Sequence, residues 1–304
     1  LIGLVMMEVL GRLIAGPISA TWKRFLWIIL IYRAMTDSMT YHQRMRSFMK
    51  FPLLLLLAIF TSSLYAMSLE PVDVPDGIPD HIVGDVGIAV YTSNMHIGTE
   101  GTQSLVLPYA YFDYKRFFAR IDEVGFKTVK MGYGYFEVIG KIDLNNYQVK
   151  SSINGASINR SDPIPLGIGT FQETPIGGFF LNAYHDFGKS KGALYEFLYF
   201  AEVETFKNIV IYPEVGIERQ SSQYANYYYG INSGESNLTG YAAYTAPATS
   251  NLIAGFMVEI PVVDNWYVNI YGRRKWLGNG INNSPVMNRS FQDNVFAALA
   301  YRFK

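Results

Sequence analysis

Cysteine is absent from the 304-residue chain, which excludes a disulfide framework and any thiolate-ligated metal site. Histidine is scarce, and past residue 66 it is confined to His81, His96 and His185. No GxSxG, HExxH or P-loop pattern occurs, so hydrolase, zinc-protease and nucleotide chemistry all lack their usual residues. A positive excess is missing too. The chain carries 25 basic and 25 acidic residues; residues 1–66 hold seven basic and two acidic ones, which leaves 18 basic against 23 acidic beyond them. Nucleic-acid binding therefore loses its electrostatic footprint. Past residue 66 no apolar run approaches the roughly 20 residues of a membrane-spanning helix. No catalytic, metal or cofactor residues are assigned, and no nucleic-acid partner is expected.

One long apolar run does occur, early in the chain. Residues 51–60 read FPLLLLLAIF, with Arg44, Arg46 and Lys50 before them and TSSLYA after them. A basic segment followed by about 7–15 apolar residues is an export signal, too short for a bilayer anchor. We expect a signal peptide over 45–66, cut after Ala66, with Met67 as the mature N-terminus. A start at Met45 or Met49 makes 1–44, which includes RFLWIILIY, an upstream extension. Residues 67–83, with Pro71, Pro75 and Pro79, read as an extended periplasmic lead-in.

What the whole chain has in quantity is Tyr (23), Phe (20) and Gly (27), a composition that favours strands over helices. The hydrophobicity alternates. In 251–262 the apolar positions Leu252, Ala254, Phe256, Val258 and Ile260 oppose Asn251, Gly255, Met257 and Glu259. In 208–219 Ile209, Ile211, Val215 and Ile217 oppose Tyr212, Glu214 and Glu218. In 193–204 Tyr195, Phe197 and Tyr199 oppose Glu196, Glu202 and Glu204. Alternation over about ten residues marks a transmembrane barrel strand, whereas soluble strands average about 5–6. The expected fold is all-β: a single antiparallel transmembrane β-barrel over 84–304 with about 12 strands. They are placed near 84–92, 104–114, 115–121, 123–129, 130–142, 163–173, 176–187, 192–204, 207–219, 251–263, 266–277 and 291–303. The third and fourth are short enough to be one bent strand, and ten strands stand as the alternative.

Trp266 and Trp276 share one strand face with Val268 and Ile270 between them. Ten residues rise about 33 Å, which a tilt of about 40° reduces to roughly 25 Å, the height of an outer-membrane apolar band. Trp266 and Trp276, with Tyr301 and Phe303 in the last strand, are the expected membrane-interface aromatics. The opposite faces carry Glu214, Glu218, Glu259, Arg273, Lys275 and Arg302, the candidate lumen charges. Either they pair inside a filled barrel or they line a water-filled pore. The longest connections, about 93–103, 143–162, 220–250 and 278–290, fall on one side, expected to be the outer face. Within 220–250, Tyr224, Tyr227, Tyr228, Tyr229, Tyr241 and Tyr244 make either an adaptable contact surface or an aromatic lid over the barrel mouth.

Four blocks carry a family resemblance: VGIAVYTSNMHIGTEGTQSLVLPY (86–109), LPYAYFDYKRFFA (107–119), YYYGINSGESNLTGYAAYTA (227–246) and SPVMNRSFQDNVFAALAYRF (284–303). In order and content they resemble the MltA-interacting protein family (MipA/OmpV), over about 84–303. Lys304 after the final Phe and the stretch 141–162 depart from its pattern. The resemblance implies a non-enzymatic outer-membrane barrel of a Gram-negative cell envelope. It implies a scaffold for peptidoglycan machinery, with a lytic transglycosylase and a murein synthase as partners. Outer-membrane lipid and lipopolysaccharide would surround it. A porin-like diffusion channel and an adhesin are the alternatives.

Overall fold

The computed structural model describes residues 78–94, 97, 102–143, 147–151, 155–205 and 208–304. The expected upstream extension, signal peptide and first part of the lead-in lie outside these residues, as does His96.

The chain is a succession of antiparallel strands. β1 (Val83–Asn94) and β2 (Thr102–Tyr114) are followed by β3 (Phe117–Arg120), β4 (Glu123–Met131) and β5 (Gly134–Lys141). A separate small hairpin, β6 (Tyr147–Lys150) and β7 (Ser157–Arg160), precedes β8 (Pro165–Thr174), β9 (Gly177–Asp186) and β10 (Ala193–Phe200). β11 (Val203–Glu204), β12 (Val210–Gln220), β13 (Thr249–Val263), β14 (Trp266–Trp276) and β15 (Phe291–Phe303) complete the set. Two helices, α1 (Ser222–Tyr229) and α2 (Ser233–Thr239), lie between β12 and β13, and a one-turn α3 (Asn279–Asn282) precedes β15.

All strands but β6 and β7 form one sheet of 13. β1 pairs with β15, and β10 pairs directly with β12, which closes the sheet into a ring. β11, two residues long, pairs only with β12 and stands outside the ring. The result is a closed barrel of twelve strands. Closure leaves the ring without a terminal strand, the condition on which a sheet can cross a bilayer. Among the described residues no helix is long and apolar enough to do so.

The third and fourth segments are two strands, not one bent strand. Phe117 faces Phe126 and Arg120 faces Glu123 across a tight turn at Ile121-Asp122, where Ile121 has φ 58°. Positive φ also closes the turns at Lys115, Gly132 and Asp264 (φ 51°, 59° and 49°). Such left-handed residues match the twist of two-residue hairpins. At Gly132 the conformation suits a residue without a Cβ.

Side-chain alternation sorts apolar from polar as the period of two demands. Along β13, Leu252 and Phe256 are exposed on the outer wall, while Asn251, Ile253 and Glu259 are buried inside. Along β15, Val295, Leu299 and Phe303 face out while Phe296, Ala298 and Ala300 are buried. An outer wall of Val, Leu, Ile and Phe costs about 25 cal/mol for each Å² left in water. In a bilayer that cost vanishes.

The long connections gather at one end of the ring. Ile97, Tyr147, Val149, Ile158, Tyr224, Ala225, Tyr228, Tyr229, Ile281 and Val286 form one buried apolar cluster, drawn from all four of the longest segments. The residues 143–162 and 220–250, read from sequence as loops, thus contain the β6–β7 hairpin and helices α1 and α2.

Candidate functional site: a charged interior beneath a tyrosine-rich cap

The interior is polar and its charges are matched. At the end away from the long connections, the Arg302 guanidinium donates to Asp85 through Nε and Nη2 (2.7 and 2.7 Å) and to Glu259 through Nη1 (2.6 Å). Its plane lies 3.9 Å from the Tyr267 ring centroid. Asn269, fully buried, donates to Asp85 at 3.2 Å and sits 3.1 Å from the Tyr109 hydroxyl. Higher up, Arg273 donates twice to Glu214 (2.9 and 3.1 Å). Lys275 meets Glu218 at 2.5 Å, and Asn251 and Gln220 also donate to that carboxylate.

The other half of the barrel repeats the pattern. Lys141 donates to both Glu196 oxygens at 2.7 Å and lies 3.5 Å from Asp122. Arg120 forms a two-pronged pair with Glu137 (2.9 and 2.8 Å), beneath the Phe118 ring. Asn182 and the Tyr184 hydroxyl both donate to Glu123. Buried charges are costly unless paired or hydrogen-bonded; each of these is hydrogen-bonded, and all but Glu123 meet an opposite charge.

The six candidate lumen charges therefore meet in three pairs: Glu214 with Arg273, Glu218 with Lys275, Glu259 with Arg302. Glu202 and Glu204 do not join them; they lie beyond the end of β10 and are exposed. Sequence reading missed Asp85, Arg120, Glu123, Glu137 and Lys141, although each alternates with outward apolar neighbours, as Glu137 does with Val138.

The cap over this interior is a folded unit of its own. α1 begins at Ser221, whose hydroxyl accepts from Tyr224 N. α2 begins with a capping box in which Asn232 and Glu235 satisfy each other's backbone N–H groups. Glu235 also receives Arg160 at 2.7 Å, and Arg160 donates on to the Gly230 carbonyl, tying β7 to both helices. Burial opposes the ionisation of Glu235, yet Arg160 and the Asn232 N–H hold its carboxyl below its ordinary value. The Tyr147 hydroxyl donates to the Tyr228 carbonyl, and Ser284 donates to the Tyr229 carbonyl at 2.5 Å. Tyr224, Tyr228 and Tyr229 are buried, and burial pushes all three phenols above their usual range. Of the two sequence-based readings of this segment, the lid describes these three side chains.

The cap is fastened to the barrel at Asp143, just past β5, which accepts from the Tyr224 hydroxyl at 3.1 Å. Burial pushes the Asp143 carboxyl up to about 6, against the pull of Lys275 and Lys141. A carboxyl raised in the folded state binds protons more tightly there than in the unfolded chain. Its contribution is therefore most favourable at low pH and declines as pH rises from about 4 to about 6. Asp143→Asn should flatten this slope and raise stability at pH 7.5 by about 1–2 kcal/mol. Thermal unfolding followed between pH 4 and 8 measures both effects.

Of the four aromatics marked for the membrane interface, three come together. Trp266 packs edge-on to Tyr301 (5.4 Å), and Tyr301 to Phe303 (5.0 Å), at the end opposite the cap. Trp276 stands at the cap end beside Phe291. Arg274, which shares the outward face of β14, pairs with the outward Asp293 at 2.7 Å. His185 is exposed on the outer wall and Asp186 is buried on the inner one, so they form no dyad. Among the described residues no group of His, Asp and Glu has the makings of a metal site.

A twelve-stranded ring with its apolar side out is the architecture of an outer-membrane protein, and the comparison with known families says which kind. The family model of the MltA-interacting protein MipA matches residues 86–303, the whole ring but its first residues. The chain belongs to the MipA family. It is 33% identical over 91 residues to the outer membrane protein Omp26La of Vibrio anguillarum and, equally, to the outer membrane protein OmpV of Vibrio cholerae serotype O1. Each of those alignments covers 30% of this chain and 35% of the relative. This MipA-family barrel is accordingly an outer-membrane protein. Its family match runs through both the ring and the cap, including the diverged 141–162.

Proposed function

We propose that this MipA-family barrel is a non-enzymatic, non-conducting scaffold. It docks a murein hydrolase of the lytic transglycosylase class, together with a murein synthase, at the outer membrane. The observation that carries this reading is the interior itself. Twelve strands enclose room for a pore, yet the side chains there neutralise one another in fixed pairs beneath a cap with its own apolar core. A conducting lumen needs charges that face water and passing ions. A catalytic site needs a nucleophile or acid–base pair aligned on a substrate. This interior commits its carboxylates to Arg, Lys, Asn and Tyr instead.

In this reading the cap and the β9–β10 turn face outward, and the turns at Lys115, Gly132 and Asp264 face the periplasm. Trp266, Tyr301 and Phe303 then mark the inner headgroup level, and Trp276 the outer one. The lead-in enters at the periplasmic end, where the Pro79 carbonyl accepts from Lys115 N at 2.7 Å. Residues 67–83, after removal of a signal over 45–66, are the proposed docking arm.

Two measurements test this. Purified protein in planar bilayers should show no stable openings; sustained conductance would replace the scaffold with a diffusion channel. Deletion of 67–83 should abolish co-purification of a peptidoglycan hydrolase from crosslinked envelopes while the barrel still inserts. Undiminished recovery of the hydrolase would move the docking surface elsewhere.

A further inference from the structure

The outer wall of the barrel is not evenly covered. Across β3, β4, β5, β8, β9 and β10 runs an open apolar depression of about 910 Å³. Its upper margin is the row of cross-strand partners Val124, Gly140, Leu166, His185 and Ala193. Two of these five have no side chain beyond a Cβ. The gap at Gly140 lies between Val124 and Leu166, both on the outward face and both exposed. Below the row, Phe117 and Phe126 stand as an edge-to-face pair at one end (5.1 Å) and Tyr195 at the other. The trough is thus a diagonal slot, apolar but for His185 and the tyrosine hydroxyls, in a surface that meets lipid chains.

Its upper end leads to a basic turn. The connection from β9 to β10 presents Lys189 and Lys191, both exposed, directly past the His185–Ala193 pair. Neither lysine belongs to an ion pair among the described residues. The turn is held rigidly. The buried Asp186 carboxylate accepts from Ile164 N (2.8 Å), Gly188 N (2.7 Å), Ser190 N (3.1 Å) and Ser190 Oγ (2.5 Å). Lys191, at φ 53°, also donates to the Phe187 carbonyl at 2.8 Å. Two exposed lysines on an ordered turn at the head of an apolar slot match a lipid that carries phosphate above acyl chains.

We propose that this trough binds one lipopolysaccharide molecule, an acyl chain along the slot and a phosphate on Lys189 and Lys191. The choice of lipopolysaccharide over a glycerophospholipid rests on the reading that the cap end faces the outer leaflet. The slot and the lysines themselves do not depend on it. Neither does the site depend on the docking arm, so failure here and failure of the scaffold reading are separable.

Native mass spectrometry of the barrel, extracted in mild detergent and then delipidated, tests the proposal. The wild-type protein should keep one lipopolysaccharide in preference to added phosphatidylglycerol. The charge reversal Lys189→Glu/Lys191→Glu should lower that occupancy about tenfold or more. Gly140→Phe should lower it likewise by filling the slot. A Cβ there meets only the Leu166 Cδ2 (3.2 Å), the Val124 Cγ2 (3.9 Å) and, at ordinary contact, the Pro165 carbonyl (4.0 Å), so the ring remains foldable. Heat-modifiable gel migration checks that each variant is closed. Preference for phosphatidylglycerol, loss of all lipid from the wild-type protein, or unchanged occupancy in both variants overturns the assignment.

Discussion

Arg302→Ala should destabilise the barrel by about 3–5 kcal/mol, the cost of leaving a buried carboxylate without its partner. The position is unusually exposed to this penalty. One guanidinium serves both Asp85 of β1 and Glu259 of β13, so truncation takes the ion-pair partner from two carboxylates at once. It also removes the cation stacked on Tyr267. The readout is the temperature at which the compact gel band converts to the unfolded one. Asp85→Asn/Glu259→Gln in the Arg302→Ala background removes the orphaned charges and should recover a substantial part of the loss. Equal midpoints for wild type and Arg302→Ala would mean that water already reaches this end of the interior.

Tyr228→Ala should unfold the cap while the ring stays closed. Truncating a buried large aromatic costs about 3–5 kcal/mol, and Tyr228 lies at the centre of the cap cluster. Its ring packs on Tyr224 at 4.8 Å and on Tyr227 at 4.9 Å. Its hydroxyl donates to the Ser161 carbonyl at 3.1 Å, and its carbonyl receives the Tyr147 hydroxyl. The cap's helices are held mainly by this one cluster, whereas the ring is held by strand ladders. Protease added to intact cells or proteoliposomes should then cut within 220–250, and the barrel fragments should remain associated and heat-modifiable. If the cap stays resistant, its stability comes from the capping box and the Arg160–Glu235 pair. If the ring opens as well, cap and ring unfold as one unit.

Much of the ring was legible because its physics is local. In strand β13 the outward positions Leu252, Ala254, Phe256, Val258 and Ile260 are all apolar, while Asn251, Ile253 and Glu259 on the other face are buried. The hairpin β3–β4 was ambiguous for an equally local reason. Four residues, Phe117–Arg120, are too few to show a period, and no Gly, Pro or Asn marks the turn at Ile121-Asp122. The interior pairs were only half legible. Alternation places Glu214 and Arg273 on inner faces, but their meeting depends on the register of β12, β13 and β14, which no single strand contains.

The cap was the least legible part. Its helices are built from Tyr, Asn, Ser and Gly, residues that in isolation favour turns and loops. Their helical form depends on tertiary burial of Tyr224, Tyr228 and Tyr229. One signal was present, the Asn232-x-x-Glu235 capping box. The β6–β7 hairpin lies in the stretch that diverges from the family pattern, and its four-residue strands give no periodic signal.

The seam between β1 and β15 bears on the order in which the molecule is made. Asp85 and Arg302 are 217 positions apart, so the first barrel strand to emerge must wait for the last. Until then Asp85, Glu259 and Arg302 stay hydrated, and both raw edges stay available to wrong partners. The final zip-up dries these charges and erases both edges in the same event. Assembly is therefore committed late and all at once, and the most vulnerable period of this protein's life is the interval before its ends meet.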